Sequence, residues 1–207
     1  MRIQREQVIA TALQLLDEVG LDGLTMRVLA KALDIQAPSL YWHLPNKRAL
    51  IDAMADAMLA DVARTRSRAS WQKVLRTVAA ELRRALTARR DGARVFAGTY
   101  VVSDNVLRVG DAMIAALARA GASDKVAAWG SFSLLYFVLG FTMEEQGSSR
   151  EGQPDLAAHK AAFLALTEHA YPATFQVADK LFDVDFDQRF EFGLDLVIAG
   201  LERRMLD

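Results

Sequence analysis

The sequence contains no cysteine and few of the residues that interrupt regular structure. Its 207 residues include 0 Cys, 3 His, 4 Pro and 12 Gly. The absence of cysteine excludes disulfide bonds, thiolate metal sites and cysteine nucleophiles. The low glycine and proline content disfavours a turn-rich all-β protein and suits long helices. Hydrophobic residues make up 52% of the chain, so a sizeable core can form and general disorder is excluded.

The chain also lacks an excess of charge of either sign. The 25 Lys and Arg residues nearly balance the 26 Asp and Glu residues, and the net charge is −1. Any nucleic-acid-binding surface must therefore be a local cluster of basic residues. The first residues lack the basic start and apolar run of a signal peptide, which predicts a cytoplasmic protein. Residues 126–143 form one run of 18 residues without charge, long enough for a membrane span. We favour the alternative, a helix buried on two sides, one of them covered by a partner subunit.

Apolar residues recur at three- and four-residue spacing along most of the chain, which predicts an all-α protein. Side chains suited to capping helix N-termini are Thr25, Asn46, Ser70, Ser123, either Ser103 or Asp104, and Asp187. Gly20 is suited to a helix C-terminus. The predicted helices lie at about 4–19, 25–33, 38–43, 47–63, 70–90, 94–98, 104–120, 123–146, 155–170 and 186–206, while residues 171–185 are ambiguous.

Residues 24–50 carry the functional signal. Two short helices separated by a tight break form the pattern of a helix-turn-helix. In the second of them Leu40 and Leu44 face the core, so the Tyr, Trp and His between them cannot all be buried. An exposed aromatic cluster of this kind suits thymine methyl groups and phosphates in a DNA major groove. The alternative is a plain helical corner, since many helical proteins contain one.

Lys47 lies in the first turn of the helix that Asn46 is expected to cap. A cation there opposes the helix dipole, unless the same helix end binds an anion such as a phosphate. Arg27 and Lys31, four residues apart, could add contacts to a DNA backbone. The alternative is an ordinary solvated lysine.

Two segments carry a resemblance to a known family. LDEVGLDGLTMRVLAKAL (16–33) and PSLYWHLPNKRALI (38–51) resemble the TetR family of transcriptional regulators, and within it the tetracycline repressors that gave the family its name. RDGARV (90–95) and FGLDLVIAGLE (192–202) are similar to the effector domain of those repressors. The resemblance implies a homodimeric repressor with a three-helix DNA-binding head and a C-terminal helical bundle for effector binding and dimerisation.

The same resemblance implies a division of the chain and a set of DNA contacts. Residues 1–45 would form the helix-turn-helix domain, 46–63 the connecting helix, and 64–207 the effector-binding and dimerisation domain. Asp34 replaces the usual turn glycine, and aspartate tolerates the left-handed conformation needed there. An alanine replaces a base-reading glutamine, so the operator sequence is expected to differ. The implied DNA contacts are Arg27, Ala37, Pro38, Ser39, Tyr41, Trp42, His43 and Lys47.

The resemblance also raises a conflict over the effector. Tetracycline-responsive members bind a drug–magnesium chelate through a histidine whose place is taken here by Phe96, which cannot ligate a metal. Most other polar drug contacts are replaced too, although Thr99 and Glu144 remain. We therefore expect an apolar, magnesium-independent pocket and no cofactor; plain core packing is the alternative. The candidate lining residues are Val78, Leu82, Phe96, Thr99, Tyr100, Met113 and Ser131.

In the family, the uncharged helix and the last helix pair with their symmetry mates. Gly130, Gly193 and Gly200 would allow a close approach there. A ligand that favours another bundle arrangement would tilt the connecting helices and spoil the spacing of the two heads. The residues expected in this interface are Trp129, Phe132, Phe137, Leu194, Val197, Ile198 and Leu201.

Two other functions compete with this one. A di-iron enzyme in a helical bundle needs Glu-x-x-His pairs, and the sequence has none; phosphate loops and nucleophile elbows are also missing, so no catalytic residue is expected. The second rival is a DNA-binding regulator without an effector, since an apolar core need not be hollow. The expected partners are double-stranded operator DNA, a small-molecule effector and a second copy of the chain, and no membrane.

Overall fold

The computed structural model describes residues 4–65, 68–99, 102–148 and 155–206. Every regular element in these ranges is a helix, which confirms the all-α prediction. The helices are α1 (Arg5–Gly23), α2 (Met26–Ala32), α3 (Ala37–Tyr41), α4 (Lys47–Met58), α5 (Trp71–Thr87), α6 (Gly92–Ala97), α7 (Asp104–Arg119), α8 (Asp124–Ser148), α9 (Leu156–Ala170), α10 (Pro172–Gln176), α11 (Ala178–Leu181) and α12 (Phe186–Leu206).

Four helices begin at the side-chain caps that the sequence predicts. Thr25, Asn46, Ser70 and Ser123 each accept a hydrogen bond from the backbone N–H three residues later, at 3.2, 2.9, 3.4 and 3.4 Å. Such a cap satisfies one of the unpaired N–H groups at the start of a helix. The prediction for α12 was wrong: Asp185, not Asp187, accepts the N–H three residues later, at 2.9 Å. The carboxylate of Asp187 is instead 2.8 Å from Arg83.

One predicted helix end is confirmed and another differs. The regular turns of α1 break at Gly20, which has φ 70°, ψ 173°, and one further turn follows to Gly23. This backbone conformation is open essentially to glycine alone. Helix α4 ends at Met58 rather than near Ala63, and the segment Leu59–Ala63 forms turns. We call Leu59–Ala63 the α4 end segment.

The helices enclose one continuous hydrophobic core. Helices α5, α7, α8 and α12 pack against each other as a bundle, α6 packs against α4, α5 and α8, and α9 packs against α10. Leu16 and Leu50 near the N-terminus belong to the same cluster of buried side chains as Leu75 and Phe190 in the bundle. Helix α8 is long and apolar enough to span a membrane, but it contributes one face to this core.

Several residues predicted for the subunit interface lie inside the protomer. Leu194, Ile198 and Leu201 are at most 7% exposed, because α12 turns this face toward α8 of its own chain. A Cβ at Gly130 would overlap Leu201, and one at Gly193 would overlap Phe137. These two glycines therefore allow close packing of α8 on α12 within one chain, and not between subunits as expected. Beside Gly200 a Cβ would meet nothing within 4 Å, and Val197 is half-buried.

The outer faces of α8 and α12 form an exposed apolar surface, which we call the outer patch. Trp129 and Phe132, both predicted for the interface, are 63% and 53% exposed. Sequence reasoning missed Tyr136, Phe192 and Leu196, which are 64%, 68% and 61% exposed. The spacing of Trp129, Phe132 and Tyr136 at intervals of three and four residues could have revealed this face.

A single arginine connects three helices of the bundle. Arg83 on α5 binds Glu145 of α8 with two hydrogen bonds of 2.6 and 2.9 Å and Asp187 of α12 with one of 2.8 Å. Its guanidinium also lies over the rings of Phe141 and Phe190. The hydrogen bond to Glu145 is the main reason that the pKa of Arg83 is raised above its ordinary value.

Candidate DNA-binding head and ligand cavity

Helix α3 and the turn that follows it place their apolar and aromatic side chains on opposite sides. Leu40 is fully buried and Leu44 is 1% exposed, so both anchor the helix on the core. Trp42 is 89% exposed and Tyr41 is 47% exposed. Trp42 and Tyr41 are adjacent, so together they form an exposed aromatic surface on this side of the head. His43 is only half-buried.

The turn between α2 and α3 sets the direction of α3. Asp34 has φ 52°, so the left-handed conformation expected for this position is confirmed. Pro38 follows at the start of α3, where its missing N–H costs no hydrogen bond. Pro38 and Ser39 are exposed and Ala37 is half-buried. The start of α3 therefore presents small side chains to the outside.

Cations surround this surface without intramolecular ion pairs. Arg27, Lys31 and Lys47 are exposed, and within the described part of the chain no carboxylate lies within 4 Å of them. By contrast, Arg48 pairs with Asp52 at 3.1 Å, one turn along α4. The three unpaired cations are therefore available to phosphate groups, whereas Arg48 already has a partner.

The head, α1 to α3, is attached to the bundle at the C-terminal end of α1. Asp17 pairs with Arg89 at 2.6 Å, and Asp22 pairs with Arg94 at 3.1 Å. Between them, Asp91 accepts a hydrogen bond of 2.9 Å from the N–H of Leu21. The hydrogen bond to Asp22 is the main reason that the pKa of Arg94 is raised. We call this set of contacts the head junction.

Helix α8 fixes the bundle side of the head junction. The side-chain amide of Gln146 donates to the carbonyl oxygens of Leu86 and Arg89 at 3.1 and 2.7 Å. Its carbonyl oxygen accepts from the N–H of Ala93 at 3.0 Å. One side chain thus satisfies the end of α5 and the start of α6, the two helix ends that flank Asp91.

The bundle contains a cavity of about 1130 Å³ between α5, α6, α7, α8 and the α4 end segment. Its volume suits a drug-sized or larger molecule. Four of the residues predicted to line an effector pocket do line it: Val78, Phe96, Met113 and Ser131. Gly110 lies on the same stripe of α7 as Met113, and a Cβ added there would meet nothing within 4 Å.

The other predicted lining residues do not contribute to this wall. Leu82 is 1% exposed and belongs to the packed core, so its assignment to the pocket was wrong. Thr99 is half-buried, and its hydroxyl donates to the carbonyl oxygen of Phe96 at 2.7 Å instead of facing the cavity. Tyr100 lies outside the described residues.

One end of the cavity is polar, which the sequence did not reveal. Glu81 of α5 and Arg108 of α7 line it together with Leu59 and Ala63. Both charged side chains bind the α4 end segment. Glu81 accepts the N–H of Ala63 at 2.8 Å. Arg108 donates to the carbonyl oxygens of Leu59, Ala60 and Val62 at 2.7, 3.0 and 3.1 Å.

A second contact ties α4 to the start of α7. The carboxylate of Asp56 accepts hydrogen bonds from the Ser103 hydroxyl and from both the backbone and side-chain N–H groups of Asn105, at 2.5 to 3.2 Å. Ser103 thus binds across to α4 and does not act as the predicted side-chain cap. The C-terminal part of α4 is therefore held by the cavity wall, while its N-terminal part begins beside the head.

The site does not fit a magnesium chelate. Phe96 occupies the place expected for the metal-binding histidine and is buried, 8% exposed, against the cavity. Glu144 is exposed and does not line the cavity. In the described ranges no three His, Asp or Glu side chains come together as a metal site. An aromatic ring cannot supply the oxygen ligands that Mg²⁺ requires.

Comparisons with known proteins agree in both halves of the chain. The sequence model described as "Bacterial regulatory proteins, tetR family" matches residues 8–54, and "Tetracyclin repressor-like, C-terminal domain" matches residues 65–205. The class C tetracycline repressor of Escherichia coli is 40% identical over 209 residues, covering 99% of this chain and 93% of the repressor.

Two solved structures from Streptomyces coelicolor are similar over nearly the whole chain. A possible TetR family transcriptional regulator is 40% identical with a TM-score of 0.85, covering 97% of this chain and 99% of that one. The TetR family protein ActR, in complex with actinorhodin, is 29% identical with a TM-score of 0.84, covering 96% and 95%.

Proposed function

The chain belongs to the TetR family of transcriptional regulators, as a DNA-binding repressor with a ligand-binding C-terminal domain. From this premise we propose which of its residues contact DNA, a second copy of the chain and a ligand. The observation that carries the proposal is the 89% exposed Trp42 on a helix anchored by buried Leu40 and Leu44. A tryptophan held outside the core by a rigid helix is suited to contact with another molecule. We propose that the molecule in contact with Trp42 is operator DNA.

In this proposal α3 enters the major groove. Tyr41 and Trp42 contact base edges and thymine methyl groups, and Pro38, Ser39 and His43 complete the surface. Ala37 can contribute only an apolar contact. Lys47 and Arg27 bind phosphates on either side, since neither has an intramolecular carboxylate partner in the described chain. The Asn46-capped start of α4 adds its N–H groups to the Lys47 site.

The protein is further proposed to act in the cytoplasm as a homodimer through the outer patch. Trp129, Phe132, Tyr136, Phe192 and Leu196 expose enough apolar side chain for a self-complementary contact between two copies. Such a dimer would present two copies of α3. Operator binding would then require these helices about 34–36 Å apart, one turn of B-DNA.

The proposed effector binds in the cavity between α5, α6, α7 and α8 without magnesium. The relative ActR was solved in complex with actinorhodin, and the cavity of this chain has the volume of a drug-sized or larger ligand. Val78, Phe96 and Met113 supply apolar walls. Phe96 supports binding of the free ligand, because it offers no metal ligand.

The test is a binding assay on the DNA upstream of the protein's own gene, with salt and ligand titrated. We expect tight binding, a two-fold symmetric footprint and a steep dependence of affinity on salt. Aromatic ligands should release the DNA equally well with and without magnesium. A protein that binds this DNA no better than random DNA, both as wild type and as Trp42→Ala, would contradict the assignment of α3.

A further inference from the structure

The end of the cavity that contains Glu81 and Arg108 indicates which chemical group the ligand carries and how its binding is transmitted to α4. This inference rests on the proposed ligand-binding function of the cavity. Its central residue is Arg108, whose side chain is half-buried at the cavity wall.

Arg108 forms no ion pair within the described part of the chain. Its guanidinium donates to three backbone carbonyl oxygens of the α4 end segment and, at 2.7 Å, to the side-chain oxygen of Asn105. In the part of the chain that the structure describes, no acidic side chain lies within 4 Å of it. Four of its five N–H groups are used, all of them on neutral oxygens. An acidic group is a stronger acceptor than any of these.

The rest of the cavity is consistent with an apolar molecule that carries one acidic group. Val74, Val78, Val109, Met113 and Leu135 line it, and the exposed Arg119 lies at its border. Asp104 and Asp111 also border the cavity, but they lie with the exposed Leu107 on the outer side of α7. These two carboxylates are therefore solvated at the mouth, and water screens them from a group bound at Arg108.

Glu81 is the acidic group that opposes an anion at this end. Its carboxylate is half-buried and accepts the N–H of Ala63. Neutralising it by substitution with glutamine keeps an oxygen that can accept the same N–H. Glu81→Gln therefore removes the repulsion while leaving that contact possible.

The segment that Arg108 holds is conformationally strained. Ala63 has φ 53°, a left-handed conformation that is unfavourable for a residue other than glycine. The Glu81 and Arg108 contacts keep it there. Once Arg108 turns to another acceptor, the carbonyl oxygens of Ala60 and Val62 lose this donor, that of Leu59 keeps only the N–H of Val62, and the segment can relax.

We propose that the effector is a largely apolar, aromatic molecule with an acidic group, and that this group withdraws Arg108 from the α4 end segment. The guanidinium exchanges neutral carbonyl partners for an anionic one. Helix α4 is then released at its C-terminal end, while its N-terminal end begins beside the head at Lys47. Arg108 both recognises the ligand and positions α4, so ligand binding and DNA release share one side chain.

The experiment compares two fluorescent probes that differ in one acidic group. 8-Anilino-1-naphthalenesulfonate carries a sulfonate, and N-phenyl-1-naphthylamine has the same rings without it. Each is titrated into the full-length wild type and into Arg108→Met, Arg108→Lys, Glu81→Gln and Gly110→Phe. Thermal unfolding monitors the fold of each variant. The Gly110→Phe side chain fills the cavity and shows which part of the signal arises there.

We expect Arg108→Met to weaken binding of the sulfonate probe about tenfold or more and to leave the neutral probe unchanged. Arg108→Lys keeps the charge and so keeps most of the sulfonate affinity, but it cannot span three carbonyls and weakens operator binding. Glu81→Gln strengthens sulfonate binding only. The sulfonate probe should release operator DNA from the wild type, and the neutral probe should do so less well at equal occupancy.

The outcomes test the acidic-ligand inference and the ligand-binding function of the cavity separately. Equal weakening of both probes by Arg108→Met, or none, would overturn the acidic-ligand inference while the cavity remains a ligand site. Undiminished binding of both probes to Gly110→Phe would place them outside the cavity and overturn both proposals. Operator binding that is unaltered in Arg108→Lys would remove its role in positioning α4.

Discussion

Lys47 offers a test in which stability and DNA binding change in opposite directions. The side chain is exposed at the first residue of α4 and has no carboxylate within 4 Å in the described chain. Its charge opposes the helix dipole, so Lys47→Ala should stabilise the free protein slightly, by about 0.3 kcal/mol. The same substitution should weaken operator binding, because one phosphate contact is lost from each head.

The magnitude follows from counterion release. Each phosphate contact contributes a slope of about −0.9 to the plot of log affinity against log salt, so two lysines in a dimer contribute about −1.8. Between 50 and 200 mM salt, the wild type should therefore lose about twelvefold more affinity than Lys47→Ala. Fluorescence anisotropy of a labelled operator duplex, measured at several salt concentrations, gives both slopes.

Arg48→Ala is the matched control. Arg48 is the next residue on α4 and is also exposed, but it is paired with Asp52. Its removal should leave the salt slope unchanged and reduce stability by no more than about 0.5 kcal/mol, the usual value of an exposed pair one turn apart. If the two variants show the same slope as the wild type, Lys47 does not bind phosphate and the reasoning from its unpaired charge is refuted.

Four further outcomes are expected. Trp42→Ala should leave the melting temperature within error and lower operator affinity at least tenfold; unchanged affinity would place DNA elsewhere. Gly20→Ala should destabilise by about 1–3 kcal/mol in denaturant titration, because of its positive φ and the nearby Asp91 carboxylate, and a neutral effect would contradict the kink. Arg83→Met should cost about 2–3 kcal/mol, below the value for a fully buried pair since its side chain is 15% exposed. Tyr136→Asp should convert the dimer to monomer in analytical ultracentrifugation, and a persistent dimer would exclude the outer patch.

The sequence predicted local structure well where the cause is local. The caps at Thr25, Asn46 and Ser70 depend on a side chain and an N–H three residues away, and the structure confirms all three. The left-handed conformation of Asp34 likewise depends on its own residue type and position in the turn, and the structure confirms it. Burial of Leu40 and Leu44 follows from helical spacing alone. Assignment to the TetR family also came from contiguous residues in this region, and the family comparisons confirm it.

Errors arose where distant residues decide the outcome. Helix α4 ends early because Arg108 and Glu81, from α7 and α5, hold the segment after Met58 in turns. No periodicity within residues 47–63 contains that information. The apolar stripe of α12 was read correctly as a stripe, but whether Leu194 and Leu201 face the same chain or another depends on the position of α8. The DNA contacts, the domain division and the dimer interface stay predictions.

The hydrophobic core is continuous from α1 into the bundle. This continuity limits the replacement of the head, α1 to α3, by the head of another repressor. A hybrid repressor made by cutting the chain between the head and α5 would join two surfaces that must match at Asp17, Asp22 and Asp91. A foreign head that lacks carboxylates at the first two positions would leave Arg89 and Arg94 without those partners. With the proposed role of α3, operator preference alone is transplanted by grafting the outer side of α3 and leaving the end of α1 intact.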